Sequence, residues 1–288
     1  MFRRLRPPAP LDDLVEWLWF FDSPSDGGLE RRLPDGGLEI VLHLAGEGTH
    51  AAGVREPAFV VAGPRAWPEL LEASAGRLVG AHCRPGSARV LLGVPGREVR
   101  GLLDLDMRDV WGARADELAE QVADAHDPVA QLRILAAGLL PAARATPGRR
   151  PSRSLVRAAL RTIEADPAMA RVGDLVDRSG ISWRVFTEVF EEEVGLAPKL
   201  YQRVRRLQRA VSEMHRNPQP GLAGVAAGTG FADQAHLVRE FRALGNVTPA
   251  AYRSSTTPET QNHVPVPAET NGRKPSRPGS GGRVTIAP

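Results

Sequence analysis

The chain has a single cysteine, Cys83, among 288 residues, so no disulfide can form within it. That excludes a cystine-stapled secreted scaffold and fits a reducing compartment. Long apolar runs are missing as well. The longest candidate, Ile134 to Leu140, falls far below the ~18 residues a membrane span requires. Arg3, Arg4 and Arg6 precede prolines and the acidic pair Asp12 and Asp13, and Glu16 interrupts the apolar stretch Leu14 to Phe21. The expectation is a chain without a secretory leader or membrane association, working in the cytoplasm. Three kinds of chemistry have no support: there is no tight His-x-His pair, no glycine-rich phosphate loop and no defensible pair of acid–base carboxylates. An enzyme is therefore not expected, and neither a cofactor nor a resident metal is assigned.

An apolar fraction of 42% with 25% charged residues is ordinary for a folded protein. The net charge of +3 is unevenly placed. Residues 1–151 carry 18 basic and 21 acidic side chains, net −3, whereas residues 152–253 carry 15 and 11, net +4. The remaining tail has 4 basic against 2 acidic residues, net +2. The positive excess lies in the second half, which suits a polyanionic partner.

Residues 1 to about 110 read as short strands separated by turns. Leu38 to Leu44 alternates, with Leu38, Ile40, Leu42 and Leu44 on one face and Glu39, Val41 and His43 on the other. Phe59–Ala62 and Arg77–Cys83 read as two more strands, and Arg89–Val94 as a fourth that pairs with the latter. Leu118, Val122 and Ala125, then Leu132, Leu135, Leu139 and Leu140, mark two amphipathic helices. The expected fold is α+β. A mixed barrel- or sandwich-like sensing and dimerising domain spans residues 1–145, followed by a linker at 146–152. An all-helical domain covers 153–253, and 254–288 is expected to stay disordered for want of apolar residues.

The helical domain holds a tandem pair of helix-turn-helix patterns. In the first, Gly180 supplies the turn, Ser182 caps the next helix, and Val185, Phe186, Val189 and Phe190 face inward. Trp183, Arg184, Thr187 and Glu188 are left outward, and Glu191, Glu192 and Glu193 read as a solvated run. In the second, Gly230 and Phe231 form the turn, Asp233 is the cap, and Leu237 and Phe241 face the core. Gln234, Ala235, His236, Val238, Arg239 and Arg242 then lie outward or at the edge. Gln suits adenine, Arg suits guanine, Glu can accept from cytosine, and small apolar groups touch thymine methyls. Between the two units, Pro198 to Met214 reads as one long helix crowded with arginines.

These features carry a resemblance. Ser182-x-Arg184-x-Phe186-x-x-x-Phe190, Gly195-x-x-Pro198-x-x-Tyr201, Gly230-Phe231-x-Asp233-Gln234, Leu237-x-Arg239-x-Phe241 and Thr248-Pro249-x-x-Tyr252-Arg253 follow in order. Residues 152–253 thereby resemble the DNA-binding region of the AraC/XylS family of bacterial transcription regulators. The resemblance implies two recognition helices entering successive major grooves, about one DNA turn (~34 Å) apart. It implies base contacts from Trp183, Arg184, Thr187 and Glu188, then Gln234, Ala235, His236, Val238 and Arg239, with the caps Ser182 and Asp233 part of the DNA-binding set and Lys199, Arg205 and Arg242 on phosphates. Double-stranded DNA is the expected partner; RNA polymerase, a small-molecule effector and a second copy of the chain are further ones. Glu188 and the acidic run depart from the family pattern, which usually has a basic residue at the former. In the N-terminal domain Glu39, His43 and His82 are the candidate effector-binding groups. The alternative reading is a cupin-like metal-dependent enzyme or sensor fused to a DNA-binding module. A DNA-alkyl-transfer protein is remoter, since it needs an activated cysteine.

Overall fold

The computed structural model describes residues 1–23, 28–44, 58–73, 76–144, 151–219, 221–256 and 262–266. Its N-terminal half is built on six strands: β1 (Phe2–Leu5), β2 (Val15–Ser23), β4 (Leu38–Leu44), β5 (Ala58–Ala62), β7 (Gly76–Cys83) and the short β8 (Leu105–Asp106). They form one antiparallel sheet of order β1-β2-β7-β4-β5-β8. The sheet runs from one edge strand to the other without closing, so the expected barrel gives way to an open sheet. A smaller sheet pairs β6 (Glu69–Ala73), β3 (Gly28–Arg32) and β9 (His263–Val266).

The alternation in β4 does what its period requires. Leu38, Ile40, Leu42 and Leu44 are all at most 3% exposed and meet Val79, Ala81 and Cys83 from β7. The two amphipathic helices, α3 (Ala113–Asp124) and α4 (Pro128–Arg144), close this core with Leu118, Val122, Leu132, Leu135 and Leu139. Arg89–Val94 does not form the expected strand. Ala88–Leu91 is a helical turn, α1, because Ala88, Leu91 and Leu92 are buried at helical rather than alternate spacing. A further short helix, α2 (Met107–Trp111), precedes α3.

The second half is helical: α5 (Pro151–Ala165), α6 (Val172–Ser179), α7 (Trp183–Val194), α8 (Pro198–Arg216), α9 (Leu222–Thr229), α10 (Gln234–Gly245) and α11 (Pro249–Ser255). Helix α8 is the axis, burying Tyr201, Val204, Leu207, Ala210, Val211 and Met214 between the two helix-turn-helix units. Residues 146–150 of the expected linker lie outside the described residues, and Pro151 already begins α5.

Two observations bear on how the two halves are joined. The core around α8 also takes in Leu33 and Ala66 from the N-terminal half. It takes in Val264 as well, at 2% exposure, from the stretch expected to be disordered. His263–Val266 fold as a strand because β3 offers it an unpaired edge, register Leu29↔Val266 to Arg32↔His263, and Val264 has a core to enter. Composition averages miss a four-residue segment that finds a ready-made partner.

Candidate nucleic-acid interface

Each reading unit is set by a left-handed residue and a polar cap. Gly180 ends α6 at φ +69, and Ser182 Oγ then accepts from the Val185 amide at 3.4 Å to start α7. Gly230 ends α9 at φ +81, and Asp233 accepts from the His236 amide at 2.6 Å to start α10. A side chain at Gly230 has no room, since its Cβ would lie 2.2 Å from that of Ala168. Helix α10 ends on Asn246 at φ +48, where Asn supplies the left-handed turn that glycine would otherwise give.

On α7, Phe186 and Phe190 are buried, while Trp183, Arg184 and Glu188 are exposed as expected. Val185 is 43% exposed rather than inward. Phe186, Val189 and Phe190 already fill the stripe that packs on the core, so the helix turns Val185 out beside Arg184. That makes Val185 an exposed apolar group on this face that apolar periodicity hid. Thr187 is half-buried with its hydroxyl shielded and unpartnered among the described residues. Arg184 Nε donates to Glu188 Oε1 at 2.8 Å, so the two outermost charges of this face neutralise one another. The Lys199 ammonium lies 5.1 Å from the centre of the Trp183 ring, fixing that indole at the rim.

On α10, Leu237 and Phe241 are buried and Gln234, Ala235, Arg239 and Arg242 are exposed. Val238 is half-buried. His236 is also half-buried: its Nδ1 accepts from the Ala232 amide at 3.3 Å and its ring stands edge-on to Phe231 at 5.3 Å. That ring braces the turn and has one nitrogen committed. Asp233 is likewise committed to its cap. Helix α8 is tied to α10 by a two-pronged pair, Arg203 to Glu240 at 3.0 and 2.9 Å.

Arg205 does not face a phosphate site. Its guanidinium reaches the Asp35 carbonyl at 3.4 Å, and Gln208 donates to the Pro34 carbonyl at 2.8 Å, so this side of α8 grips the turn before β4. The helical period places Arg205 four residues after Tyr201, on the stripe covered by the N-terminal half. The acidic run is not wholly solvated either, since Glu193 is buried. Arg89 of α1 donates to Glu192 and, at 3.2 Å, to Glu193, which is 6% exposed. Carboxylates at a helix C-terminus oppose the dipole, and here an arginine from the other domain offsets that cost.

The effector candidates divide. Glu39 and His82 face one another across β4 and β7, with His82 Nδ1 2.8 Å from Glu39 Oε2, and Trp19 Nε1 donates to the other Glu39 oxygen at 2.5 Å. Arg32, at 3.7 Å from Glu39, continues the cluster to Glu69 and Arg65. Burial opposes charge on His82, but Asp35, Glu39 and Glu16 outweigh it and raise its pKa to about 9. His43 lies four residues along β4, opposite Leu78, and is not part of this cluster. Glu39 and His82 thus satisfy each other.

Comparison with known proteins follows the same division. Residues 175–255 match a family described as a helix-turn-helix domain, and residues 3–102 match a domain of unknown function, DUF6597. Over 88 residues the chain is 34% identical to the HTH-type transcriptional regulator Rv1931c of Mycobacterium tuberculosis, covering 30% of this chain and 32% of that protein. It therefore spans about a third of the length of the curated relative it matches. Among solved structures, the DNA-binding domain of AdpA, crystallised with a target DNA, is 26% identical over 37% of this chain and 92% of that one, with a TM-score of 0.32. ToxT from Vibrio cholerae is 10% identical over 88% and 98% of the two chains, with a TM-score of 0.45. No helix among the described residues is long and apolar enough to cross a membrane. The helical half thus matches a helix-turn-helix domain, and the N-terminal half a domain whose own family has no assigned function.

Proposed function

We propose that the chain is a sequence-specific DNA-binding transcription regulator that places α7 and α10 in successive major grooves of one duplex. The carrying observation is that both helices are capped alike and expose side chains at matching distances from their caps. Arg184 and Ala235 stand two residues beyond the cap, Glu188 and Arg239 six. A recognition helix reads bases from its N-terminal turns, where these residues lie.

In this reading Arg239 takes a guanine, Gln234 an adenine, and Ala235 and Val238 touch thymine methyls, with Arg242 on phosphate. On α7, Arg184 and Glu188 suit a guanine and a neighbouring cytosine amino group, Val185 and Trp183 add apolar contact, and Lys199 lies at the phosphate rim. Ser182 and Asp233 act through their caps, and Thr187 and His236 by shaping the face. Regulation works through occupancy of promoter DNA and contact with RNA polymerase in the cytoplasm, with a bound effector or a second copy of the chain as modulators. No covalent step is required. The metal-dependent alternative is the less favoured reading, because a metal would have to displace the proton that Asp35, Glu39 and Glu16 stabilise on His82.

Sequencing of DNA fragments retained by the purified protein tests the proposal. A bipartite motif with two half-sites one helical turn apart is expected. Retention without any shared sequence would overturn it.

A further inference from the structure

The two reading units touch one another through a short segment that carries no sequence motif. Residues 166–171 join α5 to α6, the first helix of the first unit, and α8 grips them. Gln202 Nε2 donates to the Pro167 carbonyl at 3.0 Å and to the Ala170 carbonyl at 2.5 Å. Arg206 donates to the same Pro167 carbonyl at 3.4 Å, and Arg209 pairs with Asp166 at 2.5 Å. Gln202, Arg206 and Arg209 follow at intervals of four and three, so they form one row along α8. Asp166 Oδ1 also accepts from the Ala168 amide at 3.1 Å, which folds the segment into a tight turn.

The same turn bears on the second unit. A Cβ on Gly230, the left-handed residue that ends α9, would stand 2.2 Å from the Ala168 Cβ. The Arg206 guanidinium lies 5.9 Å from the centre of the Phe231 ring, the next residue of that turn. A loop of the first unit therefore meets α8 and the turn of the second unit at once. Neither contact gives way easily. Hydrogen bonds to backbone carbonyls are directional, and a glycine against an alanine has no side chain that could move aside. If one unit slid along α8, the Pro167 and Ala170 carbonyls would lose their donors.

We propose that the 166–170 turn, with Gln202 and Arg206, is a spacing gauge that selects operators by the number of base pairs between their half-sites. The inference rests on the DNA-binding reading and deepens it. Each added base pair shifts one half-site about 3.4 Å along the duplex and about 35° around it. Two helices locked to each other can engage only one such arrangement without deforming the DNA or themselves. The outward side chains of α7 and α10 lie on other elements, so the gauge sets spacing and leaves base preference alone.

Titration of the full chain against the selected operator, with its spacer lengthened or shortened by one base pair, tests the gauge. The wild type is expected to lose at least about tenfold in affinity either way. Gln202→Ala, Arg206→Met and Ala168→Gly are each expected to narrow that loss to about threefold, with base preferences within each half-site unchanged. Destabilisation alone weakens binding at every spacing alike and does not move this ratio. Ala168→Gly removes a single methyl group and carries the test if the polar variants do not fold. Arg216→Ala, at an exposed site of α8 whose partner is Glu213, is expected to keep the wild-type ratio. The inference is overturned if the wild type binds all spacings alike, if the folded variants keep its ratio, or if Arg216→Ala narrows the loss equally. A selected motif with a single half-site, or no motif at all, sinks the two-groove reading itself.

Discussion

Arg239 and Glu188 stand at the same distance from their caps and carry opposite charge, and this difference governs how the two reading helices treat DNA. Arg239 is exposed and is not held by a carboxylate among the described residues. Arg239→Ala is expected to cost about 1–3 kcal/mol of specific binding and to relax one position of the motif, measured by titration against the selected operator. Glu188 cancels Arg184, so Glu188→Ala frees a cation at the groove. Non-specific affinity should rise and the salt dependence of binding should steepen by about one unit, read from log–log titrations. His82 gives a stability signature instead. Its folded pKa of about 9 lies above the ordinary 6.5, so its stabilisation is fully present below about pH 6.5 and fades as pH rises through about 9. The amount is on the order of 3 kcal/mol. The melting midpoint should fall across that window, and His82→Gln should flatten the fall.

At the scale of elements, helix ends decide more than helix middles. Each reading helix starts at a side-chain cap and stops at a left-handed residue, Gly195 for α7 and Asn246 for α10. Gly195 also touches the other domain: at φ +84, a Cβ there would lie 2.6 Å from the Pro64 ring and 2.7 Å from the Gly96 carbonyl. Gly195→Ala therefore combines backbone strain with a clash and should cost about 1–3 kcal/mol or more, read as a lower urea midpoint. Its effect on DNA should fall on the half-site read by α7, because α10 is held separately, by Arg203 on Glu240 and by Leu237 and Phe241 in the core.

Taken whole, the molecule is more tightly joined than a sensor linked to a reader. The turn from Pro34 to Gly37 lies against α8, with Tyr201 within 3 Å of where a Cβ on Gly36 would stand. Arg89 binds the end of α7, and β9 returns from beyond α11 to pair with β3. A chain ending at Thr256 loses the burial of Val264, the β3–β9 ladder and the His263–Glu30 pair at 2.9 Å. Burial of one valine alone contributes roughly 1.5–3 kcal/mol, so truncation should lower the urea midpoint of the helical domain while leaving the outward face of α10 intact. Retained operator preference with reduced stability is the expected result.

Local chemistry by itself determined the two reading units. The caps Ser182 and Asp233, the glycines at 180 and 230 and the apolar period of Phe186, Phe190, Leu237 and Phe241 act within a few residues, so their consequences were legible in order along the chain. The strand at Leu38–Leu44 and the helices around Leu118 and Leu135 were legible for the same reason, a period matched to one buried face. What only the tertiary structure decided depends on partners distant in sequence. Arg205 and Glu193 turn to the N-terminal domain, Glu39 and His82 satisfy each other across 43 residues, and Val264 completes a strand that no local pattern announces. A charged side chain is worth what faces it, and what faces it is set by how sheet and helices pack, not by its neighbours in the chain.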